Sequence, residues 1–449
     1  NANLLAALQP IATTKATAVT NVNSSQAATQ PTDIVTLDLA AAAGSPVYST
    51  YQAYQPVWES SGDNLVSLTM AGNMAAYSGA QQFNGLGSAL LKQVASTGGD
   101  YSQSVLLTDG SESASEIATS QALLHTSATN QITLDVTTKS GVKVEISLDS
   151  DTNGLGVHIN VTNGTLSAAD RNALKGLEKS FQSAIDGLTS EPPALNLSGL
   201  MQYDSSVLSS VDFHATVQGS SGAETVDFTA NSQQRTLNAA LPDGTIKLNV
   251  DMSSLATIGG SAQQQAAAIK SYLQQFDNAQ QRGNGNQALV SMFDDAFSAM
   301  NSNYVAQPSG NSTPARLLTG ADRSLLSGLA DFSASITQKT EHPNPLRYNE
   351  VDAFSYQVSQ STSIKSSDLL SASVKQKQSS NLQASFHKAV PETGVMLMGN
   401  NSKLQTYDYV QIDDSASNEA DIAYDEGKLV DAAIEGEDVD DAPLARDQR

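Results

Sequence analysis

Oxygen-bearing side chains alternate in the segment Asp-Ser-Asp-Thr-Asn-Gly at positions 149–154. Ca²⁺ prefers six to eight oxygen ligands, and a tight turn can gather several of them from one short segment. Asp149, Asp151 and Asn153 are therefore candidate calcium ligands. The match to an EF-hand-type loop covers only its first half, and Asn160 occupies the position where such a loop needs a bidentate Glu. The alternative is a plain hairpin turn, because Asn-Gly readily adopts the positive φ that a short β-turn requires.

The chain shows little sign of other site chemistry. It has five histidines, and none forms a His-x-x-x-His pair of the kind that binds metals on one helix face. A Gly-x-Ser-x-Gly nucleophile elbow, a phosphate-binding Walker loop and a complete dinucleotide fingerprint are also missing from the sequence. His158 and His214 fall on predicted strands, where half-buried structural roles are expected. No catalytic residue and no cofactor other than calcium is predicted.

Composition narrows the classes of partner. The chain has 449 residues, no cysteine and a formal net charge of −23. Phosphate recognition requires a basic stripe, so this charge argues against nucleic acid and equally against an anionic lipid surface. Disulfides, zinc–thiolate sites and thiol catalysis are excluded because all of them need cysteine. A polar, acidic and thiol-free chain is typical of a protein that works in an oxidising or unprotected space outside the cell.

The sequence contains no run of about 18 apolar residues, the length needed for a membrane-spanning helix. Residues 1–10 lack the basic region of a secretory signal and are not themselves an intact signal peptide. Residues 1–60 are predicted to form an extended arm or linker, because Thr, Ala, Ser, Asn and Gln dominate it and cannot support a core. Within it, residues 34–39 alternate in polarity and could add as a strand to a sheet edge.

The middle of the chain alternates strands and helices, which predicts an α+β fold with amphipathic helices packed on antiparallel sheets. Strands are expected at 131–138, 142–148 and 157–161, followed by a helix that opens at Ser167. The order recurs after residue 201, so we predict domains at 61–200 and 201–345. The two copies of Ala-Asp-Arg at 169–171 and 321–323 indicate either a duplicated strand-and-helix unit or two similar helix starts.

The C-terminal third is more polar. Residues 346–412 alternate Ser and Gln with apolar residues, which predicts an antiparallel β segment with one wet face. Four strands are expected there, at 351–364, 369–377, 382–390 and 404–412. Residues 413–449 contain thirteen acidic and three basic residues, so a solvated acidic tail is predicted.

These features favour an exported structural protein that self-assembles at the cell surface or in an extracellular filament of bacterial type. Self-association by strand addition, with a cell-surface or appendage partner, is the expected mode of interaction. A secreted binding module for a glycan or a protein is the alternative. A secreted hydrolase with a carboxylate site between residues 61 and 345 is a third hypothesis.

Overall fold

A single antiparallel sheet dominates the molecule. The computed structural model describes residues 54–77, 79–304, 317–391, 394–401 and 403–441, with side chains described as far as residue 436. The described strands form one 14-stranded sheet in the order β1-β2-β5-β4-β3-β6-β7-β8-β9-β10-β11-β12-β13-β14, and every pairing is antiparallel. The predicted α+β class, with antiparallel strands and packed helices, is confirmed.

The four C-terminal strands are the longest of the described strands. In chain order, the strands are β1 Gln55–Trp58, β2 Tyr101–Thr108, β3 Asn130–Thr138, β4 Lys143–Asp151, β5 Gly154–Thr162, β6 Leu208–Gly219, β7 Gly222–Asn231, β8 Gln234–Leu241, β9 Gly244–Asp251, β10 Asp331–Gln338, β11 Ala353–Ser366, β12 Ala372–Ala389, β13 Tyr407–Asp425 and β14 Lys428–Asp441. Tight turns join most neighbours, so most strands pair with the next strand along the chain.

Helices occupy the longer connections. They are α1 Leu65–Ala76, α2 Leu86–Thr97, α3 Ala114–Ser127, α4 Ala168–Gly176, α5 Glu178–Leu188, α6 Leu255–Ile258, α7 Ala262–Gly283, α8 Gln287–Met300 and α9 Gly320–Arg323. Within the part of the chain that the structure describes, no helix has both the length and the apolarity required to cross a bilayer.

Alternating side chains give the sheet two different faces. On β6, Val211, Phe213, Ala215 and Val217 are buried, whereas the intervening residues are polar and more exposed. The apolar side, here called the inner face, packs against α1, α2, α4 and α5 at one end and against α7 and α8 farther along. Six aromatic side chains lie at the second contact: Tyr272, Phe276, Phe293, Phe297, Phe332 and Tyr356. The opposite side, the outer face, is polar along most of the sheet.

The domain boundaries predicted after residues 200 and 345 do not divide the sheet. β6 pairs with β3 along their length, so the strands of 61–200 and of 201–345 belong to one sheet. The same sheet continues through β11 into the polar segment after residue 345. Gln55–Trp58, at the end of the predicted arm, forms the edge strand β1. Residues 1–53, including the run at 34–39, lie outside the described residues.

The predicted acidic tail was wrong as far as residue 441, because residues 413–425 complete β13 and residues 428–441 form β14. Ala420, Ile422 and Tyr424 supply the buried alternation that allows this acidic segment to pair as a strand. The strands predicted at 369–377 and 382–390 are one strand, β12, because Gln378 to Asn381 continue the pairing without a turn.

The two Ala-Asp-Arg segments both start helices through the same motif. Ser167 caps α4 with Asp170 at the third helical position, and Thr319 caps α9 with Asp322 in the same reciprocal arrangement. The second helix, α9, is a single turn. Whether the two units derive from a duplication stays a prediction.

Candidate functional site

Helix α3 lies on the outer face, opposite the layer formed by α1, α2, α4 and α5. Its start is fixed by a capping box in which Ser113 and Glu116 exchange hydrogen bonds with each other's backbone. Gly154 and Gly156 on β5 face it, and a Cβ at Gly154 would lie 2.7 Å from the Leu124 Cδ1 atom. Because neither glycine carries a side chain, α3 can approach the sheet closely enough to place His125 over it.

This approach gathers three ligand-type side chains from three elements. His125 on α3, Asp149 on β4 and His158 on β5 each offer one nitrogen or oxygen atom, and these atoms lie within 4.8 Å of one another. The His158 Nδ1 atom is 3.8 Å from an Asp149 oxygen. The two imidazole rings meet edge to face, with centroids 5.8 Å apart. We call this group the histidine–aspartate cluster.

Asp149 is the buried centre of the cluster, with a fully buried side chain. Its carboxylate accepts hydrogen bonds from Ser147 Oγ at 3.0 and 3.1 Å and from Gln131 Nε2 at 3.0 Å. Burial raises the pKa of Asp149, while those hydrogen bonds and the nearby histidines oppose the rise. A buried carboxylate is costly unless it is itself protonated or is paired with positive charge, from a protonated ring or from a bound cation.

A second carboxylate lies behind each histidine. Glu59 Oε2 is 3.1 Å from His125 Nε2 and also accepts a hydrogen bond of 3.0 Å from Ser104. Glu145 Oε1 is 3.5 Å from His158 Nε2. When the Nε2 atoms donate to these glutamates, the Nδ1 atoms keep their lone pairs. Both Nδ1 atoms are buried and have no hydrogen-bond partner among the described residues.

The outer face beside the cluster is acidic. The pKa of Asp135 is raised to about 6, first by burial and then by repulsion from Glu145 and Asp212, against the attraction of Lys143 and His214. Negative potential of this kind favours a cation in the neighbourhood of the cluster.

Of the three predicted calcium ligands, only Asp149 belongs to this group. Asp151 Oδ1 accepts a hydrogen bond of 2.7 Å from the Thr129 amide. Asn153 lies in the turn between β4 and β5, and its carbonyl oxygen accepts a 2.8 Å bond from the Leu107 amide. The turn joins two strands of a hairpin, which the sequence had offered as the alternative to a calcium loop. Calcium binding by the three residues stays a prediction.

Sequence reasoning assigned His158 a structural role and gave His125 none. The two residues lie 33 positions apart in the sequence, on a helix and a strand, so no ligand spacing reveals them. The one local signal was Gly154-Leu-Gly156-Val-His158, in which two glycines share a strand face with a histidine. That pattern indicates that another element packs closely on this face.

A second histidine cluster differs in one decisive respect. His387 on β12 is buried, and its Nδ1 atom lies 2.6 Å from Asp352 and its Nε2 atom 3.2 Å from Glu350. Glu350 is also bound by Tyr407 and Arg347, each at 2.7 Å. Both ring nitrogens of His387 therefore face carboxylates, and no imidazole lone pair is left for a ligand. This arrangement ties the loop before β11 to β12 and β13.

The outer face also forms an open polar groove over β8 to β12, with a volume of about 550 Å³. Two rows of residues cross the strands in register; they are Thr236, Asn249, Ser333, Ser359 and Ser379 in one row and Asn238, Lys247, Ser335, Gln357 and Asn381 in the other. The lining offers many hydrogen-bonding groups and no aromatic ring.

Comparison with protein-family models, with curated proteins and with solved structures finds no match to the chain.

Proposed function

We propose that the chain is an exported structural protein that self-assembles at a cell surface or in an extracellular filament. In this proposal the N-terminal arm of one copy adds as a strand to β14 of the next copy. The unpaired edge of β14 carries the proposal. The cysteine-free composition and the net charge of −23 fit a protein exported from the cell.

The edge of β14 is long and incompletely covered. Among the described strands, none pairs with the outward side of β14, which is 14 residues long. Ala432 and Ile434 lie opposite Ile422 and Ala420, which are buried on the inner face of β13. Ile434 itself is 61% exposed, as is Val430. The apolar inner face thus continues from the buried residues of β13 onto exposed residues of β14. An exposed strand edge of this kind is a template for pairing with another strand.

Residues 34–39 have the sequence that such an edge requires. They read Ile-Val-Thr-Leu-Asp-Leu, so Val35, Leu37 and Leu39 would share one face of a strand. Placed against β14, that face would extend the apolar row that runs from Val374 through Ile422 to Ala432. Main-chain hydrogen bonds would supply the rest of the binding free energy, as in other cases of strand addition.

Chain length favours an arm from a neighbouring copy. β1 and β14 are the first and last strands of the sheet order. Thirteen strand spacings of ~4.8 Å separate them by about 60 Å along the sheet. Residues 40–54 can extend over about 50 Å at most. The arm of the same copy could reach β14 only by a shortcut across the sheet, whereas the arm of a neighbouring copy has no such limit.

Sedimentation velocity and negative-stain microscopy over a range of protein concentrations test the proposal. The full chain should form larger species as concentration rises, and deletion of residues 1–40 or the substitution Ile434→Lys should reduce them. Ser361→Lys is a matched control, because it places the same charge on an exposed residue of β11 away from this edge. A full chain that stays monomeric, or a truncated chain that assembles like the full one, would contradict the proposal.

The polar groove on the outer face supports a second candidate, a secreted binding module for a glycan. Its two hydroxyl- and amide-rich rows match the hydrogen-bonding groups of a sugar chain laid across the strands. Titration calorimetry with soluble polysaccharides, comparing the parent with Asn249→Ala and Asn381→Ala, tests this candidate. Binding that both substitutions leave unchanged would place the ligand elsewhere.

A further inference from the structure

We infer that His125, Asp149 and His158 bind a divalent first-row transition-metal ion. Two imidazole nitrogens and one carboxylate oxygen converge within 4.8 Å of one another. Such a donor set is common to zinc, iron and related metal sites in proteins. The inference concerns the outer face under α3 and does not depend on assembly at β14.

The unpaired Nδ1 atoms provide the main support. A buried polar atom without a partner is costly, and most buried nitrogens and oxygens in folded proteins are satisfied. Here two such atoms belong to His125 and His158, the two histidines grouped with the buried Asp149, and the His158 Nδ1 atom lies 3.8 Å from that carboxylate. A metal ion between the three side chains would satisfy both lone pairs and neutralise Asp149 at once.

The outer contacts match the second shell of a metal site. Metal-bound histidines commonly donate their other ring nitrogen to a carboxylate, which fixes the tautomer and orients the ring. Glu59 at 3.1 Å from His125 and Glu145 at 3.5 Å from His158 occupy those positions. His387 lacks this pattern, because its two nitrogens both face carboxylates.

Metal binding requires the three ligand atoms, which lie within 4.8 Å of one another, to move closer together. In a tetrahedral zinc site with ligand bonds of ~2.0–2.1 Å, neighbouring ligand atoms are about 3.3 Å apart. The His158 Nδ1 atom is already 3.8 Å from Asp149 Oδ2. Side-chain rotations of His125 and His158 can supply the remaining approach, since both rings are at the rim of the cluster, with side chains 16% and 23% exposed.

The donor set distinguishes this site from the calcium loop predicted at the same hairpin. Calcium prefers six to eight oxygens, whereas the cluster offers two nitrogens and one carboxylate. Three protein ligands leave a coordination position for water or for an exogenous ligand. We therefore expect the cluster to bind transition-metal ions much more tightly than Ca²⁺ or Mg²⁺.

The experiment uses the full chain after treatment with a chelator. Excess Mg²⁺ is present throughout, because it occupies the many surface carboxylates. Co²⁺ is then added and its visible d–d absorption is recorded. Finally, Zn²⁺ is titrated into the Co²⁺-loaded protein. One equivalent of Co²⁺ should produce bands that Zn²⁺ abolishes. His125→Ala and His158→Ala should each remove the bands, and Glu59→Gln should weaken binding by about 10- to 100-fold.

His214→Ala is the matched control, because His214 also pairs with a carboxylate on the outer face, at 2.5 Å from Asp227, but outside the cluster. It should bind Co²⁺ like the parent. Far-ultraviolet circular dichroism without metal checks that each variant is folded, and Asp149→Asn, which keeps the size of the side chain, replaces any variant that is not. Absence of the bands in the parent, or their persistence in the double variant of His125 and His158, would overturn the inference.

Discussion

The guanidinium group of Arg235 on β8 donates a hydrogen bond of 2.8 Å to the carbonyl oxygen of Met300, the last residue of α8. Two further bonds reach the carbonyls of Ser302 at 2.6 Å and Asn303 at 2.8 Å. Arg235 is only 1% exposed, and burial lowers its pKa. Carbonyls at the C-terminus of a helix carry partial negative charge, so they stabilise this buried cation.

Replacement of Arg235 by Met should therefore lower the free energy of unfolding by about 3 kcal/mol, because the buried carbonyl of Met300 and the part-buried carbonyls of Ser302 and Asn303 lose charged donors. Arg235→Lys should recover only part of the loss, since an ammonium group cannot reproduce the planar fork of the guanidinium. Chemical denaturation measures both values. The exposed control Lys365→Met on β11 should stay within about 0.5 kcal/mol of the parent. Equal effects of the two Met variants would show that the contact to α8 is not important for stability.

Asp294 on α8 should make the fold less stable as pH rises. Its pKa is raised to about 7, first by burial and then by repulsion from Asp277 and Asp295, and its Oδ1 atom has no hydrogen-bond partner among the described residues. The folded chain thus holds this proton more tightly than the unfolded chain, whose Asp pKa is near 3.9. The stability that the protonated form contributes is present below about pH 4 and is lost as pH rises to about 7.

Asp294→Asn should remove this dependence. At pH 8 the variant should be more stable than the parent by about 1 kcal/mol, a value reduced from the full pKa shift because the carboxyl is only half-buried. At pH 4 the two proteins should be nearly equal. Denaturation curves at several pH values provide the measurement, with the exposed Asp63→Asn as a charge-matched control. A constant difference between parent and Asp294→Asn at all pH values would contradict the assignment.

Gly154→Ala should push α3 away from the sheet. The new Cβ would lie 2.7 Å from Leu124 and 2.8 Å from Leu106, so one of these side chains must move. We expect a loss of about 1–2 kcal/mol in stability, the usual cost of overpacking, together with weaker Co²⁺ binding. Gly176→Ala at the end of α4 is the control, because its Cβ would meet no atom within 4 Å. It should stabilise α4 slightly and leave Co²⁺ binding unchanged.

Divalent cations should raise the melting temperature at low ionic strength. Glu419 on β13 lies directly opposite Glu435 on β14, and like charges in this position destabilise a pair of strands. Because screening relieves this repulsion and that of the net charge, Ca²⁺ and Mg²⁺ should both raise the melting temperature relative to a chelator. Coincident melts would disprove the idea. A gain specific to Ca²⁺ and lost in Asp151→Ala would instead assign calcium to the hairpin of β4 and β5.

The strands of the central sheet could be predicted from the sequence because their alternation is local. The runs at 131–138, 142–148 and 157–161 correspond to β3, β4 and β5. Residues 413–441 were misread because their acidic composition outweighed the alternation of Ala420, Ile422 and Tyr424. The histidine–aspartate cluster could not be predicted, because it depends on where α3 packs on the sheet. That contact is set by Gly154 and Gly156, and their effect becomes visible only when the partner helix is known.

The strand order also determines how the chain can fold. From β6 to β9 and from β10 to β14, each strand pairs with its immediate successor along the chain, so hairpins can form one after another at a small entropic cost. Four pairings are different, because β1 with β2, β2 with β5, β3 with β6 and β9 with β10 each close a loop that contains helices. Of these, the closures of β3 with β6 and of β9 with β10 have the largest sequence separation, and they should limit the folding rate. The strands from β1 to β5, from β6 to β9 and from β10 to β14 can pair before these closures, which gives the sheet three growing fragments that join late.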